Sequence, residues 1–502
     1  MHATLADLRD DLADLQSIAE SSGGQVLRHK ARLERTAEHY RLETHAFLSK
    51  QAEGLWSEYQ GLTRRIHSAL GETSAWTDAD VPRLTDLKHT AADLLRSFQA
   101  NLAFVLSAGD WQSPSFLHSM VSQAGAQTGK IVANQNDYKR DGHLDEKSYA
   151  ERFSAEYLRG TSVFSPETYV TSSGMAALAT LVFYLQADGK ARGPILAGES
   201  IYFENKIVLE KAFPGQVTYA NESNASAFLD AARRLRPQAV FLDSLCNSDT
   251  LDVPNLSKII PGLISILPRA AHIVVDNAGL AVSCRPSDYL PTIGRHARLY
   301  VIESLNKFHQ FGFDRVTGGV VWTPRSFLPT AFNRSRVHLG TMMPDASVLA
   351  MPEPSRDLLN RRMVRMGRNA MTLADRIEAH LAAHPSDAVS HVVYPGLRTH
   401  SSAAWAKTRW FHGCSLVLAF QPKRQDVPTY RKFVGLAIAA ARDAGVPLVA
   451  GTSFGFDVTR VYLTAEHATD VTKPFVRISV GTETASEIDA IGSAFISAIE
   501  SL

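Results

Sequence analysis

Cysteine is scarce in this 502-residue chain: there are three, Cys246, Cys284 and Cys414, none in a CxxC pair. That excludes a disulfide framework and a Cys-rich zinc site, no metal is expected, and the chain fits a reducing cytoplasm. Net charge is nearly absent as well. Fifty-two Lys and Arg stand against 51 Asp and Glu, so the basic excess typical of nucleic-acid and membrane-surface binders is missing. Long apolar runs are lacking, since GLAIAAA and LVLAF are far too short to span a bilayer. The start, MHATLADLRDDLADL, is acidic and amphipathic and has neither the basic opening nor the apolar block of a secretory signal. Neither nucleotide fingerprint occurs: there is no GxxxxGK[ST] and no GxGxxG after a strand.

What is present is an ordinary globular composition, 45% hydrophobic and 21% charged, in a chain long enough for more than one domain. Residues 1 to about 125 read as helix. Leu5, Leu8, Leu12 and Leu15 recur at spacings of three and four, which puts them on one stripe for packing on the body or on a partner subunit. From about residue 165, short apolar runs alternate with helical segments: ETYVTSS, GPILAGES, AVFLDSL, HIVVDNAG and RLYVIES. Runs apolar on both faces suit buried strands of a parallel sheet covered by helices. Each ends in polar or small residues, among them Ser172, Ser173, Glu199, Ser200, Asp243, Asp276 and Ser304. Ligands of open α/β sheets bind beyond such strand ends. After about residue 385 a smaller α/β unit follows, with HVVYPGL, CSLVLAF, a helix over FVGLAIAAARDAG, PLVAGTSFG, FVRISVG and a closing helix from Glu487. The expected division is a helical region over 1–125, a large α/β domain over 126–384 and a small one over 385–502.

Three features carry chemistry. SSGMAAL puts Ser-Ser-Gly where a strand turns into a helix, which makes either an anion site or a plain helix cap. Asp276 could be a metal ligand, a cap or the partner of a cationic ring. Lys307, at the next strand end in ESLNK, is a solvated loop lysine or, if desolvated, a nucleophilic amine. Together and in this order they meet the needs of pyridoxal phosphate: a helix N-terminus for the phosphate, an aspartate for the pyridine nitrogen and a lysine for the imine.

From about residue 130 to the C-terminus the chain resembles the cystathionine γ-synthase-like group of Cys/Met-metabolism enzymes, which depend on pyridoxal phosphate and have the aspartate-aminotransferase fold (fold type I). SSGMAAL resembles the family's phosphate turn, so the resemblance implies phosphate contacts from Ser173, Gly174 and Met175. It implies that Tyr202 in ESIYFEN stacks on the cofactor ring and that Asn247 in DSLCNSD lies near the ring hydroxyl. Asp276 in VVDN would partner the pyridinium. In ESLNK, Ser304 would bind phosphate and Lys307 would be the Schiff-base lysine, with TGGVV following as in the family. HLGT, VVYPGL, TSFG and VRISVG are also family-like, and the last two imply that Ser453 and Arg477 hold the substrate's α-carboxylate. YKRDG resembles a segment by which Tyr138 and Arg140 would reach the phosphate of a neighbouring subunit, in a homodimer or homotetramer with shared active sites.

The implied activity is elimination or replacement at the γ-carbon of an amino acid, with Lys307 and Tyr202 moving protons. A β-lyase and an aminotransferase remain open on the same fold. A non-enzymatic scaffold with a helical interaction region is the reading from another class, and the intact Lys307, Asp276 and Arg477 oppose it. The chain departs from the family pattern at Tyr202-Phe203-Glu204-Asn205, where methionine-cleaving members carry a cysteine at the position of Glu204. It departs again at Asn306, usually threonine, at MPEPSRDLL in place of RGLKTL, and in the N-terminal extension. Asn306 and the aromatic FHQFGF are expected to be where substrate choice has diverged.

Overall fold

The computed structural model describes residues 3–40, 45–110, 144–158, 166–187, 191–268, 271–290, 298–324, 330–467 and 472–502. The N-terminal region does build helices, α1 (Ala3–Tyr40), which carries the leucine stripe, α2 (His45–Gly71) and α3 (Val81–Asp110), while residues 111–125 lie outside the described residues. Leu5, Leu8, Leu12 and Leu15 are all buried, and burying a side chain of that size contributes roughly 1.5–3 kcal/mol. Charge ties these helices to the body. The Asp7 carboxylate accepts from both Nη atoms of Arg368, each at 2.8 Å, and from the Ala485 amide at 2.9 Å. Lys88 is buried between Asp11 at 3.1 Å and Glu487 at 3.3 Å. The expectation that this region packs on the body is met.

After α4 (Leu144–Tyr157), strands and helices alternate as the apolar runs foretold. They are β1 (Glu167–Thr171), α5 (Gly174–Ala187), β2 (Ile195–Gly198), α6 (Phe203–Ala212), β3 (Val217–Ala220), α7 (Ala225–Leu235), β4 (Ala239–Asp243), α8 (Leu256–Ile266), β5 (His272–Asp276), β6 (Arg298–Ser304) and β7 (Gly319–Thr323). These strands form a seven-stranded sheet in the order β1-β7-β6-β5-β4-β2-β3. β3, β2, β4, β5 and β6 run parallel, and β7 is antiparallel to both its neighbours. The parallel strands therefore deliver Gly198, Asp243, Asp276 and Ser304 to one edge, with Asp243 paired opposite Asp276. β4 is buried throughout and β5 except at its terminal Asp276, as strands covered on both faces should be.

At that edge the backbones approach so closely that side chains are excluded. A Cβ on Gly319 would lie 2.1 Å from the Ser173 carbonyl oxygen, and neither backbone has room to move. Gly319→Ala is expected to lower stability by at least about 3 kcal/mol, read from the shift of the urea midpoint.

Beyond α9 (Thr330–Leu339) and α10 (Asp345–Ala350), the long α11 (Arg356–Ala383) starts at the N-cap Ser355, whose hydroxyl accepts from the Leu358 amide. MPEPSRDLL is thus a helix start. α11 gives Met363 and Met366 to the first core and Ala370, Leu373 and Ile377 to a second. Besides a single helical turn at Ala403–Ala406, there follow β8 (Val389–Val393), β9 (Ser415–Phe420), α12 (Val427–Asp443), β10 (Val449–Ala450), β11 (Arg460–Thr464), β12 (Phe475–Ser479) and α13 (Ala485–Glu500). Their five strands make a second, largely antiparallel sheet, β10-β11-β12-β9-β8. α12 begins well before FVGLAIAAARDAG, because Asp426 caps it and Pro428 suits its first turn. α13 begins at Ala485, and Glu487 is the third residue of a capping box with Thr484. Among the described residues, no helix is long and apolar enough to cross a membrane.

Candidate active site

The strand ends of the first sheet and the β10–β11 loop enclose a cavity of about 640 Å³. Ser173, Gly174, Met175, Tyr202, Asn247, Asp276, Ser304, Lys307, Ser453 and Arg477 all line it. The structure thus brings together ten of the twelve residues singled out from the sequence. The other two, Tyr138 and Arg140, lie outside the described residues.

Ser173 ends the β1–α5 turn, and its hydroxyl accepts from the Ala176 amide at 3.0 Å, so it does cap α5. Capping leaves the first amides of α5 at the cavity, where an anion would be favoured. Gly174 is glycine for a local reason: a Cβ there would come within 2.8 Å of Ser304 Cβ. The β1–α5 turn and the end of β6 are therefore in direct contact.

Asp276 is half-buried at its strand end, and desolvation raises its pKa; hydrogen bonds from the Ala278 amide and the Asn205 side chain, and the charge of Lys307, pull it back. Ala278 N donates to Oδ1 at 3.0 Å and Asn205 Nδ2 to Oδ2 at 3.2 Å. Asp243 is raised further, first by burial and then by Asp276, and it accepts from the Tyr202 amide at 2.8 Å. Two desolvated carboxyls side by side, held by neutral donors, form a place that favours a cation.

Lys307 Nζ donates to Ser453 Oγ at 3.0 Å and lies 5.0 Å from the centre of the Phe454 ring. Burial, then the nearby Arg477 charge, pushes its pKa down to about 8. This amine loses its proton far more readily than a surface lysine does. Ser453 adopts a left-handed backbone (φ 70°), and Gly455 (φ 88°) packs so close that a Cβ would meet the Lys307 carbonyl carbon at 2.8 Å. Arg477, on β12, is buried. Its Nη1 donates to Asn247 Oδ1 at 2.6 Å and Nη2 to the Ser453 carbonyl at 3.4 Å, while Nε has no hydrogen-bond partner among the described residues. A buried guanidinium with a spare donor suits a carboxylate. The Tyr202 hydroxyl has its pKa raised by burial and by Glu204, so it stays protonated.

Two sequence readings change. FHQFGF does not face the cavity. Phe308, Phe311 and Phe313 are core residues, and Gln310 holds its own loop by donating to Val316 O at 2.7 Å and accepting from Arg315 N at 2.8 Å. Asn306 reaches the cavity wall, yet its Oδ1 accepts from the Gly318 amide at 2.8 Å and so braces the TGG turn. Asp243, Glu204, Asn205 and Phe454 were not among the residues singled out for the site. Asp243 was legible as a polar strand end, whereas Asn205 and Phe454 meet the site only through the fold.

A family model described as "Cys/Met metabolism PLP-dependent enzyme" matches residues 109–494. The chain belongs to this family. Family members depend on pyridoxal phosphate, and the residues above suit that group. The desolvated carboxyl pair with neutral donors fits a protonated pyridine, the α5 turn fits a phosphate, and the low-pKa amine fits covalent attachment.

The "Bifunctional enzyme flvA" of Aspergillus flavus is 27% identical over 354 residues, 69% of this chain and 40% of that protein. The chain therefore spans about two fifths of the length of the curated relative it matches. Solved family structures share the fold. A cystathionine gamma synthase from Xanthomonas oryzae pv. oryzae, in complex with cystathionine, superposes with a TM-score of 0.56 at 21% identity, covering 73% of this chain and 89% of that one. A methionine gamma lyase from Micromonospora echinospora gives 0.57 at 19% identity, covering 77% and 96%.

Proposed function

We propose that this pyridoxal phosphate-dependent enzyme catalyses elimination or replacement at the γ-carbon of an amino acid carrying a side-chain leaving group. The observation that carries the reading is the desolvated Lys307 amine, held by Ser453 in one cavity with Asp276 and Arg477. Ser173, Gly174, Met175 and Ser304 would hold the cofactor's phosphate, Asp276 its ring nitrogen, and Tyr202 and Asn247 its ring. When bound, the cofactor supplies an electron sink that lets protons leave the carbons next to the amino group. Arg477, with Ser453, binds the substrate's α-carboxylate and orients it. Lys307, readily neutral, accepts the proton from Cα, passes it on, and then takes a second proton from Cβ, so that the γ-substituent can leave with its bonding electron pair. Tyr202, kept protonated by burial and Glu204, is the second group able to give a proton inside the cavity.

The fold supports a helical N-terminal region, a large domain and a small domain, with α11 as the element shared by the two cores. We further propose a homodimer or homotetramer in which Tyr138 and Arg140 complete a neighbour's site, and a cytoplasmic location. Sedimentation of the purified chain would test the assembly.

Borohydride reduction of the purified holoenzyme is expected to fix pyridoxal phosphate to the peptide containing Lys307, as read by mass spectrometry. A label on any other lysine sinks the assignment. A screen of γ- and β-substituted amino acids, scored for keto acid, ammonia and replacement products, separates the reactions. Turnover confined to β-substituted substrates, or to amino-group exchange, would point to a β-lyase or an aminotransferase instead.

A further inference from the structure

Asp457 lies on the β10–β11 loop just beyond Ser453, and three parts of the chain converge on it. Its Oδ2 accepts from Arg96 Nη2 of α3 at 2.9 Å. Its Oδ1 accepts from Arg362 Nη2 of α11 at 2.5 Å and from Thr482 Oγ1 at 3.4 Å, and its carbonyl accepts from the Thr482 amide at 2.9 Å. Burial alone would raise this carboxyl; Arg362 and Arg96 outweigh burial and hold it below the usual carboxylate range, so it remains ionised.

Arg96, whose Nη1 also donates to Asp93 Oδ1 of its own helix at 2.6 Å, reaches a second loop that Arg362 does not. Its Nη2 also reaches the Gly312 carbonyl at 3.5 Å. Gly312 (φ 89°) sits on the loop that follows Lys307, and a Cβ there would lie 2.4 Å from Asp457 Oδ1. A single guanidinium therefore spans both loops that carry the site, the one after Lys307 and the one with Ser453.

Both loops hold conformations that need support. Ser453 (φ 70°), Phe311 (φ 51°) and Asp314 (φ 48°) are left-handed residues with side chains. Each such residue costs on the order of 1 kcal/mol and persists only where the surroundings enforce it. Support from outside the loops is what Arg96 provides, through Asp457 on one loop and the Gly312 carbonyl on the other. Arg96 also lies before the stretch that matches the family model, which begins at residue 109, so family membership does not account for it.

We infer that Arg96 is a positioning residue of the active site: by bridging Asp457 and Gly312 it sets the Ser453 turn, and through that turn the Lys307 amine and the Arg477 guanidinium. The N-terminal helical region is then a working part of the site, an inference that rests on the reading of the site given above.

The test compares Arg96→Gln, Arg96→Lys and a control, Arg83→Gln, in the full-length holoenzyme. Arg83 is a half-exposed arginine on the same helix, paired with Asp80 at 3.2 Å. Arg96→Gln is expected to raise KM for the amino-acid substrate roughly tenfold while kcat changes much less, since a small misplacement of positioning groups is costly. It is also expected to shift the pH midpoint of the bound cofactor's visible band. Arg96→Lys keeps the charge near Asp457 but not the reach to Gly312, so its KM should fall between wild type and Arg96→Gln.

Wild-type KM and midpoint in Arg96→Gln overturn the inference, as do equal changes in Arg83→Gln or a change confined to melting temperature. If Arg96→Gln does not fold, a wild-type KM and midpoint in Arg96→Lys overturn it too. A wild-type chain that takes up no pyridoxal phosphate would sink the reading of the site instead. The pH dependence of Lys307 acylation in the same full-length variants then decides the present question. Its midpoint is expected at about 8 in the wild type and should move toward the ordinary 10.5 in the variant as water reaches the amine; a midpoint the same in variant and wild type overturns the inference.

Discussion

Lys307→Ala is expected to lower turnover by about 10³-fold or more, because it removes both the point of cofactor attachment and the base beside Cα. The visible band that depends on attachment should vanish, and borohydride should leave no label. The fold should survive. A lysine whose pKa falls from 10.5 to about 8 on folding costs the folded state stability. The unfolded chain takes up the proton below pH 10.5, the folded chain only below about 8, so the penalty grows between those values and is complete below them. At pH 7 the alanine variant sheds that penalty and loses only the packing of the stem and the bond to Ser453. Its melting temperature should therefore stay within a few degrees of wild type, as followed by circular dichroism. Collapse of the fold with activity would argue that Lys307 is a structural residue.

Asp276→Asn should move activity and stability in opposite directions. Turnover is expected to fall by about 10²–10³-fold, since a neutral amide cannot stabilise a positive ring nitrogen as a carboxylate does. In the cofactor-free chain the same change should raise the melting temperature. Burial raises the folded pKa of Asp276 above its ordinary 3.8, and the adjacent Asp243 is raised in part by Asp276. A carboxyl with a raised folded pKa stabilises least once pH has risen through that value, so at neutral pH the desolvated acid is a cost. The amide keeps the volume, keeps an oxygen for the Ala278 amide, and removes the repulsion from Asp243. Calorimetry of the cofactor-free protein and steady-state kinetics of the loaded protein would read the two effects. A variant both active and unchanged in stability would remove Asp276 from the site.

Much of the site could be read from the chain because it sits on regular elements. Buried parallel strands announce themselves as apolar runs, and each must end in something polar where the ligand edge begins. Asp276 and Ser304 are such ends, and Lys307 follows directly on one. The β1–α5 turn was legible for the same reason, a strand giving way to a helix at Ser-Ser-Gly. Gly319 was visible as part of TGGVV, but only the sheet register explains it, by putting its Cα against the Ser173 carbonyl.

Other features depend on contacts between segments far apart in sequence. FHQFGF reads as a plausible substrate wall, yet its rings face inward, because the loop after β6 must pack beneath the strand ends. Asn205 gains its meaning from α6 lying over β5, and Asp457 from two arginines more than ninety residues away. No local periodicity encodes these meetings.

The amino-acid sequence by itself determined the strand-and-helix alternation, the polar strand ends and the chemistry available in Lys307, Asp276 and Arg477, because these follow from local pattern and residue type. Only the tertiary structure decided that Lys307 is desolvated, that Ser453 holds it, and that an N-terminal arginine stands behind Ser453. Burial and ion pairing are properties of the space around a side chain, and that space is made by segments the local pattern does not connect.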